Sequence, residues 1–304
     1  DLGIGIGNGL AIVAARSYGA QDEDLLKKTV AGSLVIGFLS SLCITLAGLV
    51  GLHPLLVLLD TPAEILEEAY SYILIIDVGV LVMFAYNLCA GLLRAIGNSF
   101  MPLIFLLISS GLNVALDLVF IAVVGMGVKG AAVATVISQG VSVVLCIFYV
   151  LRKTRVLVPE RKHFQVGRKL YWDLFSQSIS MGLMSSIVSA GSVVLQYGIN
   201  GLGTLVIAGH TAARKMFAFT DMPLIAMANA GSTFVSQNYG ANHPDRVRKG
   251  MREIYLYSVV VAVLAVLLMN VGAEWMVKLI SGSSEAVVLE NGAKYLIWNA
   301  PFYA

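Results

Sequence analysis

Apolar residues fill this chain in long runs, and short polar breaks separate them. The runs cover roughly 2–17, 29–52, 69–93, 102–124, 128–150, 174–199, 204–238, 252–272 and 292–304. A helix that crosses the hydrocarbon core of a bilayer needs about 20 mostly apolar residues. Seven of the nine runs reach that length, and the first and last are cut short by the chain ends. The pattern predicts an all-α integral membrane protein with seven complete and two truncated transmembrane helices. Gly and Pro mark several breaks, as in "GNSFMP", "GMGVKG" and "NGLG". Pro102 suits a first helical turn, whereas Pro223 falls in mid-run, where it removes a backbone donor and should kink its helix.

Composition agrees with lipid as the solvent. Of 304 residues, 58% are hydrophobic and 12% charged, against roughly 25% charged in soluble domains, and the mean hydropathy is +0.84. The three cysteines (Cys43, Cys89, Cys146) lie inside apolar runs with no metal-ligand spacing. Because the sequence starts at Asp1 inside one apolar pattern and stops inside another, it reads as an internal piece of a longer membrane protein.

The net charge of +2 says little, but its distribution says more. The first, third, fifth and seventh breaks hold fourteen basic residues, from Lys27 and Lys28 through Arg94 and the 151–169 stretch to Arg252. The other four breaks hold only Lys129, Lys278 and Lys294, together with most loop acids, among them Asp60, Glu64, Glu67 and Glu68. Basic loops stay cytoplasmic, so this alternation predicts an orientation and supports the helix count. The 151–173 break, longest and most charged, reads as a solvated basic linker between an N-terminal lobe (1–150) and a C-terminal lobe (174–304).

The chain also repeats itself. "RSYGAQDEDLLKK" at 16–28 aligns with "QNYGANHPDRVRK" at 237–249, so Tyr18, Gly19 and Ala20 fall on Tyr239, Gly240 and Ala241 at an offset of 221. Asn8 meets Asn229 at the same offset, and Tyr72 meets Tyr295 at 223. Both copies leave the membrane on the basic side, and six helices separate them. Parallel repeats of this kind are a transporter architecture, with substrate handled near the midplane.

Together with that repeat, "YNLCAGLLRAIGNSFMPL" (86–103), "LNVALDLVFIAVVGMGVKGAAVATVISQ" (112–139) and "AARKMFAFTDMPLIAMANAGSTFVSQNYGA" (212–241) resemble the multidrug and toxic compound extrusion (MATE) transporters. The resemblance covers the whole chain, and its motifs keep the family's order. It implies a twelve-helix fold of two pseudo-symmetric lobes, with helices two to six in 1–150, a cytoplasmic linker at 151–173, and helices seven to nine plus the start of ten in 174–304. It also implies exchange of organic cations or drugs for H+ or Na+ by alternating access, a monomer in the plasma membrane, and no cofactor or nucleic acid.

Within the runs, ionisable groups are costly and usually functional. Ser109, Asn113 and Asp117 recur every four residues and so share one helix face. Thr135 lies at similar depth on the next helix. A carboxylate, an amide carbonyl and a hydroxyl are hard oxygen ligands suited to sodium, and the same carboxyl can hold a proton where desolvation disfavours its charged form. One MATE subgroup uses an Asn-x-x-x-Asp on its fifth helix and a Thr on its sixth, and the resemblance carries those roles to Asn113, Asp117 and Thr135. The bland reading of the same stripe is a polar tie between two helices. Tyr72, Asp77, Asn87 and Gln196 are candidate substrate-cavity residues. Arg214 and Asp221 are expected to form an internal ion pair, with His210 as a hydrogen-bonded structural histidine. The seventh-helix run has no acid, where other MATE branches place a Glu, so the coupling chemistry is expected in the first lobe.

Other classes fit less well. No Walker motif supports an ATP-driven pump, and no acidic metal cluster at a membrane face supports a membrane enzyme. A lipid-linked-sugar flippase of the same superfamily is the nearest alternative. Against it stands the expectation that the deep cations, Arg214 and Lys215, sit beside Asp221.

Overall fold

The computed structural model describes residues 2–58 and 63–303, and every element among them is helical. Asp60 and the side chain of Glu64, from the acidic break, lie outside the described residues. Ten α-helices follow in chain order: α1 (Leu2–Gly19), α2 (Glu23–Leu58), α3 (Ala63–Val78), α4 (Val80–Ala95), α5 (Phe100–Asp117), α6 (Val128–Lys153), α7 (Arg168–Asn200), α8 (Thr204–Gly240), α9 (Pro244–Ser281) and α10 (Ala286–Asn299). The nine apolar runs appear as ten helices because α3 and α4 share one of them, bent by 45° at Gly79.

The helices overrun the apolar runs at their polar ends. α2 starts at Glu23, where the Asp22 side chain accepts a hydrogen bond from the Leu25 amide at 2.9 Å, an N-cap that satisfies a donor the helix cannot. Pro102 is the third residue of α5, where no intrahelical bond is lost. α8 runs through Pro223 as one helix of 37 residues. Among the described residues five helices are long and apolar enough to cross a membrane, six with the bent pair. α8 is long enough, but Arg214, Lys215 and Asp221 interrupt its first half and "SQN" its last turns.

The repeat is visible in the backbone. α1 and α8 end 221 residues apart, at Gly19 and Gly240, and the turns that follow use Gln21 (φ 57°) and Asn242 (φ 56°). These are left-handed residues that let the chain reverse after a helix C-terminus. The next helices open with equivalent bonds, Leu26 N–H to Asp22 O and Val247 N–H to His243 O.

Two compact units result. The first holds Asp1–Ser186 with Gly240–Asn242, and the second holds Ile187–Tyr239 with His243–Ala304. The division falls inside α7 rather than at the linker, because the start of α7 packs on α1. Gly5 and Gly9 bring the α1 backbone against Met181, Gln177 and Ser178 so closely that any Cβ there would collide with backbone. Small residues four apart allow this approach in a bilayer, where packing replaces the hydrophobic drive between helices. Arg16 and Asp173 add an ion pair across the same contact. The first core gathers Leu10, Val13, Leu26, Phe84, Leu93, Phe105 and Leu174, and the second gathers Met216, Met269, Met276, Val277 and Leu296.

The linker is not merely solvated. It folds into two short 3-10 turns, with Leu157 and His163 both buried. His163 Nδ1 accepts from the Glu160 amide at 2.8 Å, and its Nε2 lies 3.4 Å from Asp24 of α2. The surrounding charges hid these two anchors in the sequence.

Candidate functional site

The stripe on α5 is the spine of a polar seam in the first unit. Successive residues at intervals of four meet α6. Ser142 donates to the Phe105 carbonyl at 3.1 Å, Ser109 donates to the Ser138 carbonyl at 2.8 Å, and Asn113 Nδ2 lies 3.4 Å from Thr135 Oγ1. Two of these bonds are buried. The third is long, and Thr135 spends its proton on the Ala131 carbonyl at 2.9 Å. The Thr135 oxygen is therefore available to accept from Asn113.

Asp117 is the next residue of the stripe and has no such tie. Its Oδ1 is buried and lacks any hydrogen-bond partner, an arrangement that costs about 1–3 kcal/mol for a polar atom and more for a charged one. Asp117 is also the last residue of α5 proper. The chain continues as a π-helical turn over Leu118–Val123, a widened geometry frequent at functional sites. The polar tie between the helices is thus made mainly by the Ser109 and Ser142 hydroxyls, which donate to the Ser138 and Phe105 carbonyls, while the Ser138 hydroxyl turns back to the Thr135 carbonyl of its own helix, and the acid stands at the open end. Ser138 and Ser142 went unnoticed in the sequence, although their spacing from Thr135 along α6 would have found them.

The remaining candidates separate. Asn87 bonds the Met83 carbonyl of its own helix at 2.8 Å and rests against Gly7 of α1, so its amide is already used. Tyr72 is half-buried on α3. Asp77 is 9% exposed and packed against Gly48 of α2.

In the second unit the expected Arg214–Asp221 pair does not form. Arg214 donates instead to Gln196 Oε1 of α7 at 3.4 Å. Seven residues along one helix is a rise of about 10 Å, too far for two side chains to meet unless both fold toward each other. The neutralisation that set the flippase alternative aside is therefore absent, and the first-unit seam has to distinguish the two readings. His210 is buried, its ring edge-on to Tyr295 with centroids 4.6 Å apart, yet neither nitrogen has a hydrogen-bond partner, so it is not the hydrogen-bonded histidine the sequence suggested. A groove of about 880 Å³ lies elsewhere in the first unit, lined by Ile36, Arg168, Lys169, Tyr171, Trp172 and Phe175.

Comparison with known proteins identifies the relatives of this chain. A family model described as MatE matches residues 2–119 and 181–304. The chain is 28% identical over 304 residues to the "Probable multidrug resistance protein YpnP" of Bacillus subtilis, covering 99% of itself and 66% of that protein. It is 23% identical over 271 residues to the "Multidrug export protein MepA" of Staphylococcus saprophyticus, covering 88% of itself and 59% of the relative. The chain thus spans two-thirds or less of the length of these relatives. Among solved structures, a MOP superfamily transporter from Pyrococcus furiosus superposes with a TM-score of 0.88 at 22% identity, covering 99% of this chain and 68% of that one. An outward-facing multidrug resistance MATE family transporter superposes at 0.84 and 23% identity, covering 99% of this chain and 67% of that one.

Proposed function

Because the chain belongs to the MatE family, we propose that it works in a secondary active exporter, which moves organic cations or drugs outward in exchange for H+ or Na+ by alternating access. One observation carries the reading: a carboxylate oxygen of Asp117 is buried without a partner at the end of a seam whose other rungs are satisfied. An acid kept in that condition next to lipid needs a positive occupant, and Asn113 and Thr135 supply the neighbouring oxygens. A sodium ion takes all three as ligands, whereas a proton needs only the carboxyl. Each occupant neutralises the acid, and its departure leaves a charge that draws a cationic substrate or forces the seam to repack. The relatives named for multidrug resistance and export support small-molecule drugs as cargo. The basic loops support a plasma-membrane protein with Lys27, Lys28 and the 151–169 stretch in the cytoplasm, and the chain is read as acting as a monomer.

The test is substrate efflux from proteoliposomes under an imposed pH gradient, then under an imposed sodium gradient. One of the two should drive efflux in the parent protein and neither in Asp117→Asn. Equal gradient-driven efflux from parent and variant would refute the assignment.

A further inference from the structure

A second carboxylate in the first unit has no role in that seam. α3 and α4 form one bent span, Leu66–Val78 and Val80–Ala95, and Asp77 is the last residue but one before the break. Its carboxylate lies against the backbone of Gly48 on α2, in the space that any larger residue at 48 would occupy. Oδ2 is buried and lacks a hydrogen-bond partner. Thr45 of α2 donates its hydroxyl at 3.0 Å not to the carboxylate but to the Asp77 main-chain carbonyl. From α6, Val136 fills the space beside Gly79.

The groups facing the carboxylate from α2 and α6 are therefore uncharged. Further along the packed helices are Cys43 and His53 on α2, Tyr70 and Tyr72 on α3, Tyr86 and Arg94 on α4, and Lys129 on α6. Among the described residues none of them pairs with Asp77, and His53 is engaged edge-on with Tyr70 at 5.5 Å. An ionised carboxylate enclosed by protein on nearly every side, with neither cation nor donor, is the arrangement that folded proteins avoid. The neutral acid has no such difficulty.

We propose that the Asp77 carboxyl is a proton-binding site in its own right, separate from the Asp117 seam, and that it carries a proton in the conformation described here. A metal ion fits poorly. It needs several oxygen ligands, and Asp77 joins no cluster of acidic, His or Cys side chains among the described residues. A proton needs only the carboxyl. Its release requires water to reach Oδ2, and the 45° bend at Gly79 lies two residues along the chain from this carboxyl.

The test reads the proton directly and does not depend on transport. Infrared difference spectra of the membrane-embedded protein, taken as pH is raised, should contain the C=O stretch of a protonated carboxylic acid at neutral pH. That band should persist in Asp117→Asn and be lost in Asp77→Asn. In Asp77→Glu, which keeps an acid should the Asn variant fail to fold, the band should move in frequency. A carboxylic-acid region unchanged by substitution at Asp77 would overturn the proposal. It would leave the reading of Asp117 standing, because that reading is tested by efflux.

Discussion

Replacing Asp117 by Asn separates a coupling acid from a structural tie through the sign of the stability change. The amide keeps the volume of the carboxylate and removes its charge. In the structure Oδ1 is buried and receives no hydrogen bond, so the substitution breaks nothing there. The desolvation it relieves is about 1–3 kcal/mol for an unpaired buried polar atom, and about 3 kcal/mol is the scale for an aspartate carried into the middle of a membrane helix. Asp117→Asn should therefore raise the thermal unfolding midpoint in detergent while abolishing ion-driven efflux. Ser109→Ala is the control with the opposite sign. It deletes the 2.8 Å bond to the Ser138 carbonyl and should lower stability by about 1 kcal/mol while leaving ion dependence in place. Thermal unfolding followed by tryptophan fluorescence, paired with efflux on the same preparations, reads both. If Asp117→Asn proves less stable than the parent and Ser109→Ala does not, the acid is the tie and the reasoning fails.

Other expectations are narrower. Gly9→Leu should prevent α1 from docking on α7, because its Cβ would fall on the Gln177 backbone; overpacking of this kind costs about 1–3 kcal/mol or more, read as a drop in unfolding midpoint or loss of the folded protein from membranes. Asp24 and Glu160 are held below the ordinary carboxylate range, first by hydrogen bonds from Lys28 and Lys162 respectively. Groups depressed in the folded state favour folding above their unfolded values, and that contribution fades as pH falls through the folded ones. Unfolding midpoints should accordingly decline below about pH 4, less steeply in Asp24→Asn. Arg214→Gln should leave Asp221 without consequence for stability, since the two are not paired; a change shared by Arg214→Gln and Asp221→Asn and absent from the sum in the double variant would reveal a coupling that the structure does not contain.

How far the sequence anticipates this depends on the residue. The helical character of the runs was legible because lipid demands long apolar stretches, and the Tyr18/Tyr239 repeat foretold paired turns that reappear with matching φ at Gln21 and Asn242. The break at Gly79 was not legible, for a lone glycine is tolerated inside a helix. What packs against this one is Val136, and what bonds the Asp77 carbonyl just before it is Thr45, each more than thirty residues away in sequence. The Asn113–Asp117 stripe was visible from spacing alone, but which rungs were satisfied was not, since that depends on the register of α6 against α5. Arg214 went astray for a similar reason. Same-face spacing along α8 suggested Asp221, while the partner that reached it was Gln196 on another helix. His163, in a run of charges, gave no sign that it would be buried.

The most direct measurement of the central claim is equilibrium binding of a fluorescent organic cation to the purified protein as pH and sodium are varied separately. If substrate and coupling ion compete through Asp117, reciprocity requires that the bound ion weaken substrate binding. The parent should lose affinity on acidification or on adding sodium, and Asp117→Asn should respond to neither. A parent indifferent to both ions, or a variant as sensitive as the parent, would contradict the account.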